Sequence, residues 1–144
     1  MRHIFLYFYI FLVISNALHA QALSKTKDLS SKEMQAQNIT IAKMFAEEIS
    51  KKLPSKIDNY TQLVKVNNEI STIIYTFEIN TGSKSDAAVI AEDRTRMHDA
   101  IQNGVCKTSS RFLDANINIS YLYISAHTKK KLFQFNITKQ DCIF

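Results

Sequence analysis

The sequence predicts an α+β domain in which two helices pack on one face of a roughly four-stranded antiparallel sheet. Three observations carry this. Apolar residues recur at helical spacing in two separate segments, Met34 to Leu53 and Ala87 to Val105. They alternate at period two in two others, around Leu63 to Ile79 and Ile117 to Ile137. The order is helix, hairpin, helix, hairpin, and two short hairpins joined by helices are most simply buried as a two-layer sandwich.

The amino terminus comes before any of this. Met1-Arg2-His3 is a short positive start, Ile4 to Ile14 is uninterrupted apolar and aromatic, and Ala20-Gln21-Ala22 has the small-x-small pattern of a signal-peptidase site. The run falls short of the roughly 20 residues that a permanent membrane helix requires. Residues 1–22 are therefore expected to be a cleaved secretory signal, with Ala22–Leu23 as the cleavage point and Ala20–Gln21 as the runner-up. An uncleaved anchor is the alternative, and it would be the chain's only membrane attachment. No Cys follows the cleavage zone, so no lipid anchor is expected there. Residues 23–144 are expected to form one domain that is periplasmic or secreted.

Within that domain, Ser30 and Glu33 have capping-box spacing, and Met34, Ile41, Phe45, Ile49 and Leu53 describe one apolar helix face. Pro54 ends the helix at or before Leu53. Leu63, Val64 and Val66 mark a first strand, and Asn67-Asn68 reads as the tight turn after it. Ile73, Tyr75, Phe77 and Ile79 line one face of a second strand, closed by Asn80-Thr81-Gly82-Ser83. Ser85 is the expected N-cap of the second helix, whose inner face is Ala87, Ile90, Met97, Ile101 and Val105. Asn103-Gly104 supplies its stop, with Cys106 just beyond and one further helical turn in Ser109 to Ala115. Ile117, Ile119, Tyr121 and Tyr123 alternate along a third strand, Phe133, Phe135 and Ile137 along a fourth, and His127 to Lys130 connects them.

Composition excludes more than it assigns. With two Gly and one Pro in 144 residues, Gly-rich phosphate cradles have no place to sit, and neither nucleotide-binding glycine pattern occurs. The net charge of +5, or +4 once Arg2 is removed, is spread along the chain. Lys129-Lys130-Lys131 is the only basic run, and a nucleic-acid binder is expected to show a broader basic stripe with interleaved aromatics. No nucleic-acid partner is expected. The run reads as a hairpin tip kept soluble by lysines, or as a contact for an acidic partner surface or anionic lipid headgroups.

Two cysteines in an exported chain are expected to pair, so Cys106 and Cys142 should form a disulfide closing a loop of about 35 residues. No metal is expected, because the two Cys, His98 and His127 lack zinc-ligand spacing. No cofactor motif is present. A thiol nucleophile at Cys106 with His98 or His127 as base is the enzymatic alternative, a small hydrolase or redox enzyme. The adjacent acidic pairs Glu47-Glu48 and Glu92-Asp93 diverge by about 100 degrees on a helix and read as solvated faces. Tyr121 and Tyr123 read first as core and otherwise as a stacking face on an open side of the sheet.

Leu53-Pro54, Ile57-Asp58, Thr61-x-Leu63, Ile74-Tyr75-Thr76-Phe77, Val105-Cys106, Tyr121-x-Tyr123, Phe135-x-Ile137 and Asp141-Cys142 together resemble a group of small exported bacterial proteins with two cysteines and no assigned activity. More distantly, the layout is similar to the disulfide-bearing α/β pilotins of type II secretion. Those are usually lipoproteins, and this chain lacks the lipobox Cys. The resemblance implies no catalytic residue. The expectation is a non-enzymatic module that binds another envelope or secreted protein, as an assembly factor, inhibitor or immunity-type partner, through Tyr121, Tyr123 and Lys129 to Lys131. A carrier of a small apolar ligand is the third reading.

Overall fold

The computed structural model describes residues 30–142. The expected signal segment 1–22 and its cleavage point lie outside the described residues. A boundary between two compact units falls after Ala36. Of the first unit, the described part is the opening of helix α1, where Met34 is 51% exposed. The second unit, from Gln37 onward, holds everything that follows.

The elements are α1 (Ser30–Ser50), β1 (Ser55–Lys56), β2 (Thr61–Glu69), β3 (Thr72–Ile79), α2 (Asp86–Thr108), α3 (Ser110–Asp114), β4 (Asn118–Ser125), β5 (Lys131–Ile137) and a closing 3₁₀ turn (Lys139–Cys142). The α+β class is as expected. The sheet differs in two respects: it has five strands, in the order β1-β2-β3-β4-β5, and it is mixed. β2–β3 and β4–β5 are the expected antiparallel hairpins, but β3 and β4 run parallel. The reason is the length of what joins them. A 23-residue helix rises about 34 Å, enough to carry the chain back to the end where β3 began, so the next strand starts alongside it in the same direction.

Two local disagreements have clear causes. The β2–β3 turn is Ile70-Ser71, because Glu69 pairs with Thr72; Asn67 and Asn68 lie inside β2. Helix α2 continues through Gly104 to Thr108, so Cys106 sits in its last turn. A buried Val105 and the bonded Cys106 hold that turn, and packing overrides the weak helix propensity of Asn103-Gly104. Ser85 does cap α2, its side chain accepting from the Ala88 amide at 3.3 Å.

One continuous core lies between the helices and one sheet face. It includes Ala42 and Ala46 of α1, Val89 and Val105 of α2, and Ile73, Phe77, Ile119, Phe133 and Ile137 of the sheet. The inner face of α1 is the expected one in part: Phe45, Ile49 and Leu53 pack against the core, but Met34 does not. Ile41 and Met44 point outward, 46% and 63% exposed, while Asn38, Ala42 and Ala46 are buried. Phe45 meets the Phe112 ring edge-on at 4.8 Å. Asn38 is a polar group inside this seam. Its amide donates to the Ala115 carbonyl, which removes the desolvation cost that an unpaired amide would carry.

Bulges explain where strand alternation breaks. In β2 the register slips at Val64, which turns both Leu63 and Val66 into the core three residues apart. In β5 it slips at Leu132, so that Leu132 and Phe133 are both buried.

Candidate functional site

The residues expected to make contacts divide between the two faces and the two ends of the sheet. Tyr121 and Tyr123 share a face with Tyr75 and Phe77, and that face is covered by the helices. Parallel register places the rings in a ladder: Tyr75–Tyr121 at 5.2 Å, Phe77–Tyr121 at 5.4 Å and Phe77–Tyr123 at 4.9 Å, all stacked. Tyr123 is buried and Tyr121 half-buried. The core reading of these tyrosines is therefore the one that holds, and the stacking face is not on an open side.

Burial shapes their chemistry. The Tyr75 phenol is pushed up to about 12 by desolvation and by the neighbouring Tyr121. Desolvation also raises Tyr121 and, more strongly, Tyr123. A phenol whose folded pKa lies above its unfolded value near 10 stabilises the fold fully below that value and ceases to do so as pH rises through the folded pKa. Stability should thus decline between about pH 10 and 12. Alkaline unfolding followed by circular dichroism checks this, and Tyr75→Phe should make the decline shallower, since Tyr121 and Tyr123 still contribute to it.

The basic tip is partly committed. Lys129, at φ 58, pairs with Glu78 at 2.8 Å. Thr128 Oγ1 donates to Asp86 at 2.5 Å, which ties the hairpin to the start of α2. Lys130 and Lys131 are exposed. Lys131 pairs with Ile124, which brings it to the rim of the face opposite the tyrosines.

At the other end, Cys106 and Cys142 are bonded, with their Cα atoms 5.4 Å apart, joining the last turn of α2 to the closing 3₁₀ turn. Asp141 consolidates that turn. Its carboxylate accepts from the Thr138 amide and hydroxyl, both at 2.7 Å, and these bonds hold its pKa below the usual carboxylate range. The Cys106 sulfur is thereby occupied and offers no thiolate to the enzymatic alternative. His98 lies against the Phe135 ring at 5.6 Å and beside Asp99 at 3.3 Å, and His127 is exposed at the hairpin.

The feature that the sequence reading did not single out is the second sheet face. Register across β2 to β5 lays its side chains in rows. Lys65, Thr76, Leu122 and Gln134 form one; Asn67, Ile74, Ser120 and Asn136 form the next. Ile74, Leu122 and Ile124 stand outside the core cluster and are half-buried, so among the described residues no helix packs on this face. Ile74, Leu122 and Ile124 form an aliphatic patch on it, interleaved with Thr76 and Ser120, and the amides border it together with Lys65 and Glu78. Ser120 donates to Asn136 Oδ1 at 2.7 Å, and Gln134 Nε2 to Ser120 at 3.4 Å, which fixes the side chains of the border. The signal was present in the sequence as the alternate residues of each strand, but only the register shows that they are contiguous.

The described residues form a disulfide-clamped α+β sandwich, and solved structures share its fold. It is similar to a Pseudomonas aeruginosa protein described as secreted, with a TM-score of 0.65, 12% identity, and coverage of 76% of this chain and 96% of the other. The pilotin EpsS of the Vibrio vulnificus type 2 secretion system aligns with a TM-score of 0.60 and 13% identity, covering 79% and 99% of the two chains. The Vibrio cholerae type II secretion pilotin AspS aligns with a TM-score of 0.55 and 14% identity, covering 77% and 97%. At these identities the likeness is one of fold, and the distant similarity to pilotins seen in the sequence is one of architecture. The chain itself belongs to the family described as Domain of unknown function (DUF8479), which it matches over residues 36–133. No curated protein matches its sequence.

Proposed function

We propose that this protein is a non-enzymatic, exported module that binds another protein of the cell envelope or secreted fraction, as an assembly factor, inhibitor or immunity-type partner. The uncovered sheet face carries the reading. An aliphatic patch of Ile74, Leu122 and Ile124 bordered by amides, with Lys131 at its rim, has the mixed apolar and polar character of a protein contact surface. The fold's occurrence in two pilotins supports the same reading. Tyr121 and Tyr123 serve the partner indirectly by keeping the sheet rigid beneath that face.

A photo-cross-linking amino acid at Leu122 should capture one defined partner in intact cells, and the same group at Glu92, on the outward side of α2, should not. Adding Ile74→Asp should reduce capture from Leu122 by tenfold or more, as expected for a central contact. Capture from Glu92 alone, or loss of a measured turnover in a folded His98→Ala variant, would overturn the reading.

A further inference from the structure

The β2–β3 hairpin holds an arrangement that its own stability does not explain. Its two-residue loop places Ile70 at φ 51 with the side chain 70% exposed. A β-branched residue is strained there, and tight hairpins of this length favour Asn, Asp or Gly. The Ile70 side chain recovers little by packing, being largely in water. Beside it, on the uncovered face, a groove of about 450 Å³ crosses the sheet from Glu69 past Ile74 and Asn118 to Gln134 and Asn136.

We propose that this groove binds a short extended segment of a partner protein that carries an aliphatic side chain next to a lysine or arginine. Dimensions, lining and charge point to that occupant. From β2 to β5 are three strand spacings of about 4.8 Å, or ~14 Å, which an extended chain crosses in about four residues. Amides such as Asn118, Gln134 and Asn136 both donate and accept, which matches the paired N–H and C=O groups of a peptide backbone. Ile70 and Ile74 offer the apolar contact, and Glu69 is the one charge in the lining. No aromatic ring lines the groove to stack against a sugar. The inference rests on the protein-binding reading above and assigns it a location and a partner chemistry.

The test is an amide NMR titration of the oxidised protein to millimolar concentrations of the capped peptide Ser-Leu-Lys-Ser, with Ser-Leu-Glu-Ser as control. Ser-Leu-Lys-Ser should perturb the amides of Glu69 to Ile74, Asn118 and Gln134 to Asn136, and the control should bind about threefold more weakly or worse. Glu69→Lys should reverse the preference. Ile70→Asn should raise the melting temperature, because asparagine tolerates the left-handed region, while weakening the peptide about tenfold. A purely structural Ile70 could not move stability and binding in opposite directions. Absence of perturbation, equal binding of both peptides, the same amides responding to maltotriose instead, or shifts that appear on concentrating the protein alone would each overturn the inference. If Leu122 cross-linking persists alongside such a result, the protein-binding reading stands and only the groove falls. If cross-linking also fails, both fall.

Discussion

Replacing Cys142 with serine should lower the melting temperature by roughly 10–15 °C. The bond closes a 36-residue separation, for which the chain-entropy account gives about 3–4 kcal/mol, and a domain of this size loses a few degrees per kcal/mol. The effect should be largest at the carboxyl end. There the 3₁₀ turn is held otherwise by Gln102 donating to the Asp141 carbonyl and by Thr138 donating to the Asp141 carboxylate. Cys106→Ser and the double variant should match Cys142→Ser, since the two sulfurs act as one unit. Differential scanning calorimetry of oxidised and reduced protein checks this. An unchanged transition in either serine variant would mean that the turn is held without the bridge.

Phe133→Ala should cost about 3–5 kcal/mol, against a total of about 5–15 kcal/mol for a typical domain. Phe133 is 1% exposed, 5.7 Å from the Phe135 ring and 6.4 Å from Tyr123, so truncation leaves a cavity in the middle of the core. Gln134→Ala, one residue along on the uncovered face, should change stability by less than about 0.5 kcal/mol. Denaturant midpoints at constant slope measure both. This contrast bears on function as well as folding, because it separates the face that packs the core from the face proposed to meet a partner. If Gln134→Ala were the costly change, the contact surface would have to be sought on the helix side.

The disulfide and the uncovered face together suggest how such a small protein presents a stable surface. The bridge fixes α2 to the 3₁₀ turn that follows β5, and α2 packs on that strand through His98 and Phe135. The amide border at Gln134 and Asn136 therefore stands on a strand restrained from behind and at its end. A rigid surface loses less freedom on binding than a mobile one, which favours affinity at a given contact area.

Much of this was legible in the chain. Strand alternation in Ile117 to Tyr123 and Phe133 to Ile137, the Ser85 cap, the Pro54 stop and the pairing of two exported cysteines are all local or compositional facts. Period and spacing report them directly. The inner face of α1 was read correctly at Phe45, Ile49 and Leu53 and misread at Ile41, because hydrophobicity alone favours Ile41 over Ala42. The Asn67-Asn68 turn was misread because Ile70, an unfavourable turn residue, holds the loop against local preference.

By itself the sequence determined the two long helices and the four longer strands, which alternate residues of those strands are apolar, and which two sulfurs could join. Tertiary structure alone decided that β3 and β4 run parallel, that Tyr121 and Tyr123 face the helices, and that amides from β4 and β5 meet beside Ile70. Direction and register between strands are set by the long crossover helix and by two single-residue bulges. Those depend on contacts between residues far apart in the chain, and no local period records them.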